Sequence, residues 1–417
     1  MTISAFYNPL QKSTKADAVN ILTVTRAFPI ATQPWLINHL RQIAKFGGEN
    51  RIIATQAEGR LIPSEIISQG LLEITQIVPN DKWALLNTYF SAFKSIRRND
   101  VWKHYKREEA TTKQLIFDFL ASPSFNVNVD VIHSHSEPVG SKFVRLIKAT
   151  GKPFVHTFHG LTPSGVPTIT SEERAKYTSA ARAIFVNTEF ARKQYEDIGA
   201  QCSNFIIIPQ GTDLSLWHFS KRSQLEGRSL KLLTVARLDK EKGHKFAFDA
   251  VRQLLRKGVQ VQYHLVGAGS YEMKLKDYAK EIGIEKQVTF HGILVNQDIK
   301  KIYAESDVFI LPSLSSTEGG WEETQGVVIQ EAQASGLLVI ATNTGGIPEC
   351  IIDRQTGILV PDRDASSLAL AVTEVAENYD LFTKMVERAR LHVEQNYDIN
   401  IIGKKFNEHY QEIRMRD

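Results

Sequence analysis

Cysteine is scarce in this chain. Its 417 residues hold two, Cys202 and Cys350, far apart and in no C-x-x-C or Cys/His spacing. That excludes a zinc ribbon, a redox dithiol motif and a disulfide-stapled scaffold. It fits a reducing compartment, with a single disulfide still open. Histidines occur without H-E-x-x-H spacing, so no metal site is expected. No apolar run is long enough to span a bilayer. The start, MTISAFYNPLQKSTKADAVN, lacks an apolar core of signal-peptide length, so a cytoplasmic protein is expected. Short-period repeats and low-complexity tracts are missing as well. Two glycine fingerprints also fail. The G-x-x-x-x-G-K-[ST] spacing is absent, and VGAGSYE (266–272) begins G-x-G but carries Glu272 where the last glycine belongs. A tight strand-to-helix turn reads that stretch better than a dinucleotide site. The formal charge of +4 and pI near 8.8 permit an anionic ligand or a membrane surface and require neither. No nucleic-acid partner is expected.

What is present is a double alternation. At this length a single ordinary core is excluded, and two domains are expected. VNILTVTR (19–26), RIIATQ (51–56), DVIHSHS (130–136), PFVHTFHG (153–160), RAIFVNT (182–188) and FIIIPQG (205–211) read as short buried strands. Helical runs such as PWLINHLRQIAKFG (34–47) separate most of them. After the polar stretch HFSKRSQLEGRS (218–229) the pattern restarts. KLLTVAR (231–237), VQYHLVG (261–267), QVTFHG (287–292), DVFILP (307–312), LLVIAT (337–342) and GILVP (357–361) are its strands. Near-continuous apolar strands alternating with helices argue for parallel sheets covered on both faces. The expected class is α/β, with two Rossmann-like doubly wound domains facing across a cleft. Their bounds are set at 1–217 and 218–393, and a final helix, 394–417, packs back on the first.

Chemistry concentrates at strand ends, where such sheets bind ligands. EETQGVVIQEAQASG (322–336) places Glu331 within an apolar helix, eight positions after Glu323. Eight helical residues span roughly 12 Å, wider than the ~5–9.5 Å of a glycosidase acid pair. The two glutamates therefore suit opposite ends of one elongated ligand, with an anionic middle at the helix N-terminus. A loop carboxylate plus a core carboxylate with a structural partner fits as well. VARLDKEKGHKF (235–246) sets Arg237 and Lys242 in a strand-to-helix turn. Two fixed cations there could neutralise a diphosphate, although loop cations are also ordinary surface chemistry. His156 and His159, and His133 and His135, end two N-terminal strands. His133 and His156 read as tied into the fold, while His159, before Gly160, reads as functional. TNTGGIPE (342–349) brings paired glycines where backbone can approach closely. DKWALLNTYFSAFKSIRRNDVWKHYKR (81–107) interleaves basic and aromatic residues. It reads as a solvated helix or as a peripheral membrane contact through 82–107.

Together these residues resemble the retaining glycosyltransferases of family 4, also called glycosyl transferases group 1, which have the GT-B fold. Glu323-x7-Glu331, VARLDKEKG, DVFILPS, EAQASGLLVIAT and TGGIPE occur in family order across roughly 230–360. The N-terminal half is similar more loosely, through DVIHSH, HTFHG and VNTEFARKQY, and the start FPIATQPWLINHLRQIAKFGGE resembles members that build exopolysaccharide, colanic-acid-type glycan or lipopolysaccharide. The resemblance implies a hexosyltransferase that moves sugar from a UDP- or GDP-sugar to a glycan or lipid-linked glycan acceptor. It implies donor binding by Arg237, Lys242, Gly292, Ile293, Gly326, Val327 and Glu331, with diphosphate on the two cations, ribose on Glu331 and base near Gly292. Glu323 and His159 would stand at the reacting sugar. It implies no cofactor and no catalytic metal. One departure is the loop FPIATQP (28–34), which lacks the family's glycine pair, so its part in phosphate binding stays open. Glu322 beside Glu323 leaves a one-residue ambiguity. A nucleotide-sugar epimerase and a catalytically silent sugar-nucleotide-binding protein are the alternatives.

Overall fold

The computed structural model describes residues 18–28, 34–57, 70–79, 82–93, 100–106, 110–162, 167–222, 228–294, 296–316 and 320–415. Two parallel sheets organise them. The first joins β1 (Ile21–Ala27), β2 (Asn50–Gln56), β3 (Thr75–Ile77), β4 (Val131–Ser134), β5 (Phe154–Phe158), β6 (Ala183–Val186) and β7 (Phe205–Ile207). Their spatial order is β3-β2-β1-β4-β5-β6-β7. The second joins β8 (Leu230–Val235), β9 (Val261–Val266), β10 (Val288–Phe290), β11 (Val308–Leu311), β12 (Leu338–Thr342) and β13 (Ile358–Val360) in the order β10-β9-β8-β11-β12-β13. Every pairing is parallel. Each sheet reverses its winding once, beside β1 in the first and beside β8 in the second. Ligands of doubly wound sheets bind at such switch points.

Helices cover both faces. Around the first sheet lie α1 (Pro34–Lys45), α2 (Lys82–Phe93), α3 (Thr112–Ala121), α4 (Glu137–Ala149), α5 (Ser171–Thr178) and α6 (Glu189–Asp197). The second carries α7 (His244–Arg256), α8 (Glu272–Glu281), α9 (Asn296–Glu305), α10 (Val327–Ser335), α11 (Ala365–Glu377) and α12 (Tyr379–Asn396), with α13 (Ile399–Met415) completing the chain. Two-sided burial explains the unbroken apolar strands. Leu22, Val24, Ile132 and Phe154 pack with Phe143 of α4 on one face of the first sheet. Ile21, Val131, Val155 and Phe185 pack on the other face with Ile402 and Tyr410 of α13. The second sheet repeats this, with Leu232, Tyr263 and Leu265 against Phe248 and Val372, and Leu233, Phe309 and Val339 against Ile329 and Val393.

The C-terminal run differs from its sequence pattern. The final helix expected at 394–417 begins instead at Ile399, because α12 runs on to Asn396 and the chain breaks at Tyr397–Asp398. Thr212 N donates to Tyr397 O at 2.8 Å and Ile399 N to Thr212 O at 3.0 Å. Asp398 Oδ1 then accepts from Asn400 N at 2.7 Å, restarting the helix as α13. The break lets α12 finish on the second sheet while α13 packs on α1 of the first. No helix among the described residues is long and apolar enough to cross a membrane.

Candidate functional site

The loop after β8 is the first wall of the site. Asp239 to Gly243 makes one tight turn, and Gly243 adopts φ +68° before α7 begins. A Cβ at Gly243 would stand 1.8 Å from Pro312 O, so only glycine lets this loop lie against the end of β11. The turn buries Lys242, only 8% exposed, and its ammonium pairs with Glu323. Arg237 is half-exposed and paired with Asp239. His244, at the start of α7, donates from Nε2 to Arg237 O at 2.9 Å.

Both cations face Trp321. Lys242 Nζ stands 4.3 Å from the centre of its ring and Arg237 Cζ 5.6 Å, an arrangement that favours positive charge over the indole. Sequence reasoning passed over Trp321. Its only signal was a large aromatic in a glycine-flanked loop, two residues before Glu323.

The second wall is Glu322 to Val327. Glu322 accepts from Thr344 Oγ1 at 3.2 Å, while Glu323 turns to Lys242, so the adjacent glutamates face different partners. The paired glycines of TNTGGIPE serve this loop. Gly346 N donates to Glu323 O at 2.7 Å, and a Cβ at Gly345 or Gly346 would stand 2.3 or 2.0 Å from the carbonyl oxygens of Glu323 or Thr324. The glycines therefore let one backbone lie on the other. Gly326, at φ +75°, caps α10, and Val327 is its first residue. The free N–H groups of that turn adjoin Glu323.

Glu331 lies further along α10. Residue 331 keeps a partly exposed edge, yet burial pushes its carboxyl up to about 7. Tyr303 donates to Glu331 Oε2 at 3.0 Å, so a phenol, not a cation, is its internal partner. Gly292 follows β10 at φ +66° with open space around its Cβ position. Ile293 beside it is 73% exposed.

Thr324 joins this wall to the N-terminal unit. Its hydroxyl accepts from Asn187 Nδ2 at 3.0 Å, and its carbonyl accepts from Thr188 Oγ1 at 2.7 Å. Gly160 leaves room for it, since a Cβ there would meet Thr324 Cγ2 at 2.8 Å. The Gln325 amide receives Gln210 N at 2.7 Å and donates to Gln210 O at 3.0 Å. Glu349 accepts from the backbone N–H groups of Glu189 and Phe190 at 2.7 and 2.8 Å. One carboxylate of the second unit thus satisfies two orphan donors at the N-terminus of α6. These cross-unit residues were not singled out in the sequence, because each acts on a partner more than a hundred positions away.

His159 is brought beside Thr324, but its ring is engaged elsewhere. Nδ1 meets Gln210 Nε2 at 3.3 Å, Nε2 meets His135 Nδ1 at 3.2 Å, and Trp35 lies over the ring at 3.9 Å between centroids. Burial, then the neighbouring His156 and His39, push its pKa down to about 3. His133 and His156 are tied into the fold. His133 bonds Tyr410 and Thr157 at 2.6 and 2.7 Å, and His156 bonds Ser134 O at 2.9 Å. The nitrogens of His39, His133 and His135 lie within 4.8 Å of one another, the one such group among the described residues. Both nitrogens of His133 are already taken by hydroxyls, so these rings pack as a hydrogen-bonded cluster. Most of the loop 28–34 and part of 82–107 lie outside the described residues.

Lys242, Arg237, Trp321, Glu323 and the α10 N-terminus therefore converge at the β8 switch point, and Thr324 holds His159 alongside. Glu331 stands further down the same helix, and Gly292 on the next loop but one.

Comparison with known proteins agrees with this architecture. The family described as Glycosyltransferase Family 4 matches residues 37–216, and that described as Glycosyl transferases group 1 matches 217–392. The chain is 26% identical over 398 residues to a glycosyltransferase assigned to colanic acid biosynthesis in Salmonella typhimurium, covering 91% of this chain and 96% of the relative. It is 24% identical over 409 residues to the amylovoran biosynthesis glycosyltransferase of Erwinia amylovora, covering 92% and 97%. Its fold is shared by the Anabaena protein Alr3699/HepE, solved in complex with UDP-glucose. There the TM-score is 0.70 at 17% identity, covering 94% of this chain and all of that one. The structural neighbours show the fold, and the two consecutive family matches, which together span residues 37–392, place this chain in the group 1, family 4 glycosyltransferases.

Proposed function

We propose that this chain is a retaining hexosyltransferase that moves a sugar from a UDP- or GDP-sugar to a glycan or lipid-linked glycan acceptor in surface-polysaccharide assembly. The observation that carries the reading is the convergence of Lys242, Arg237 and Glu323 at the N-terminus of α10. Two cations and a helix N-terminus suit a diphosphate. The carboxylate between them suits sugar hydroxyls. The exopolysaccharide setting is supported by the Salmonella and Erwinia relatives, and a UDP-linked donor by the neighbour solved with UDP-glucose.

In this reading the donor diphosphate takes Lys242 and Arg237, and the N–H groups at Gly326 and Val327 face its oxygens. Glu323 turns from Lys242 to the sugar hydroxyls. Glu331 accepts the ribose hydroxyls, and the base lies over Gly292 and Ile293. His159 presents its carbonyl side toward Thr324 and lines the reacting face. The departing phosphate takes the acceptor proton on the face from which it leaves. The configuration is thereby retained without a separate carboxylate base. Residues 1–217 bind acceptor and 218–393 bind donor. The protein works in the cytoplasm, in peripheral contact with the membrane through 82–107.

The test is calorimetric titration with UDP-, GDP- and ADP-sugars without added metal, on the parent chain and on Glu331→Ala. Binding of one nucleotide sugar, lost in the variant, supports the reading. Product formed from a donor with no acceptor present would replace it with epimerisation.

A further inference from the structure

The internal partner of Glu331 is itself immobile. Tyr303 of α9 donates from its hydroxyl to Glu331 Oε2 at 3.0 Å. Its ring is fully buried. Trp217 meets it edge-on at 4.9 Å and 69°, and Phe309 of β11 stacks on it at 6.0 Å and 11°. Arg222 ties down the end of α9, donating to Tyr303 O at 2.8 Å and to Ser306 O at 2.7 Å. The phenol is therefore held by packing on its ring and by hydrogen bonding on its backbone. Glu331 differs, since it keeps a partly exposed edge.

The chemistry of this partner suits a carboxylate that must serve a ligand. A lysine or arginine in its place would neutralise Glu331 and compete with incoming hydroxyls. A phenol brings one donor and no charge. A carboxylate has about four lone-pair sites, so most of them, and the whole negative charge, stay available. The terminal torsion of a glutamate is broad, and ordering such a side chain on binding costs affinity. The bond to Tyr303 settles that torsion before a ligand arrives. It also favours the ionised carboxylate, against burial, which disfavours it. Burial, then Glu331 itself, pushes the pKa of the phenol well up, so Tyr303 stays the donor.

We propose that Tyr303 is a positioning residue for the donor, fixing the Glu331 carboxylate in the orientation that receives the vicinal hydroxyls of the donor ribose. Tyr303 itself touches no ligand. The inference rests on the reading of Glu331 as the ribose partner, and names the residue through which that partner works.

Tyr303→Phe removes one oxygen and keeps the packed ring. Calorimetric titration with the nucleotide sugar that the parent binds should show Kd weakened about three- to tenfold at pH 9. Between pH 9 and 7 the ratio to the parent should widen by about a further fivefold, the effect of a carboxyl raised by roughly one unit. That widening should vanish in a Glu331→Gln background. Tyr263→Phe is the control for a plain loss of a buried hydroxyl. Its oxygen lies 2.7 Å from Thr234 Oγ1 in the same unit, and its removal should change neither Kd nor pH profile. A crystal structure of the parent with that nucleotide sugar should show Tyr303 still bonded to Glu331 while the ribose hydroxyls meet the carboxylate. Unchanged Kd and pH profile in Tyr303→Phe, with Glu331→Gln weakened, would overturn the positioning role and leave the donor reading intact. A loss equal at every pH, or a liganded Glu331 that has left Tyr303, would overturn it too. No effect of Glu331→Gln would overturn the ribose reading itself, and this inference with it.

Discussion

Lowering the pH from 7.5 to 5.5 should destabilise this protein by about 3 kcal/mol. Burial holds His39, His156 and His244 down to about 4, and His159 to about 3, from an ordinary 6.5. The sign follows from proton uptake. Unfolded, these imidazoles protonate as the pH falls through 6.5; folded, they stay neutral until about 4. Stability is therefore full above 6.5 and declines through that window. Each imidazole loses ~1.4 kcal/mol between pH 7.5 and 5.5, so four lose about 5. Glu331 works the other way. Its carboxyl, raised to about 7, binds a proton more readily in the fold than in the unfolded chain, and returns about 2 over the same interval. A net of about 3 is a large share of a usual stability of ~5–15 kcal/mol. Burial lowers His133 and His135 in the same direction, so the figure is a floor. Urea unfolding followed by tryptophan fluorescence at pH 7.5, 6.5 and 5.5 reads it directly. In His39→Gln the slope should shallow by about one proton. Stability constant within ~1 kcal/mol over this range would refute the idea that these rings are held neutral by burial.

Other outcomes follow from the site. Lys242→Ala should weaken donor binding by ten- to hundredfold, the loss of about 1.5–3 kcal/mol for a charged hydrogen bond; unchanged affinity in calorimetry would count against its place on the diphosphate. Donor affinity in the parent should fall as pH drops below about 7, because ribose hydroxyls donate to an ionised Glu331, and Glu331→Gln should flatten that dependence. Gln325→Ala removes both hydrogen bonds to the Gln210 backbone. It should lower kcat while leaving donor Kd within about twofold, since those bonds join the units and do not face the donor. Equal losses in kcat and donor affinity would show that Gln325 acts on the donor itself.

The strands were legible because burial on both faces writes an uninterrupted apolar run, as in AIFV of β6 or VFIL of β11. β3 was not. Its three residues, TQI, are all half-buried at a sheet edge and carry no run and no alternation. The break between α12 and α13 was hidden for a different reason. Asp398 stops the helix only because Thr212, nearly two hundred positions earlier, pairs with it. In the site, Glu323 and Glu331 stood out by spacing, and Lys242 by its turn. Trp321 had no spacing to betray it, since its role rests on two cations about eighty residues away. His159 could be placed at a strand end but not oriented. Its ring direction is set by Trp35 and Gln210, from elements distant in sequence.

The charged groups of the site are internally paired, and that shapes how it would work. Lys242 is held by Glu323, Arg237 by Asp239, and Glu331 by Tyr303. A buried ammonium beside an ionised carboxylate avoids the cost of an unpaired charge. A diphosphate arriving at Lys242 must displace Glu323, which then becomes available to the sugar. Binding and arming of the site are in this reading one exchange of partners. Glu323→Gln separates the two. It removes the competitor for Lys242, so donor Kd should improve, by about three- to tenfold for the ~0.6–1.4 kcal/mol of a weakened pair. It also removes the carboxylate from the sugar, so kcat should fall by at least tenfold. Opposite signs on Kd and kcat are the distinctive expectation. If donor affinity instead falls with kcat, Glu323 holds the donor from the outset and the exchange does not occur.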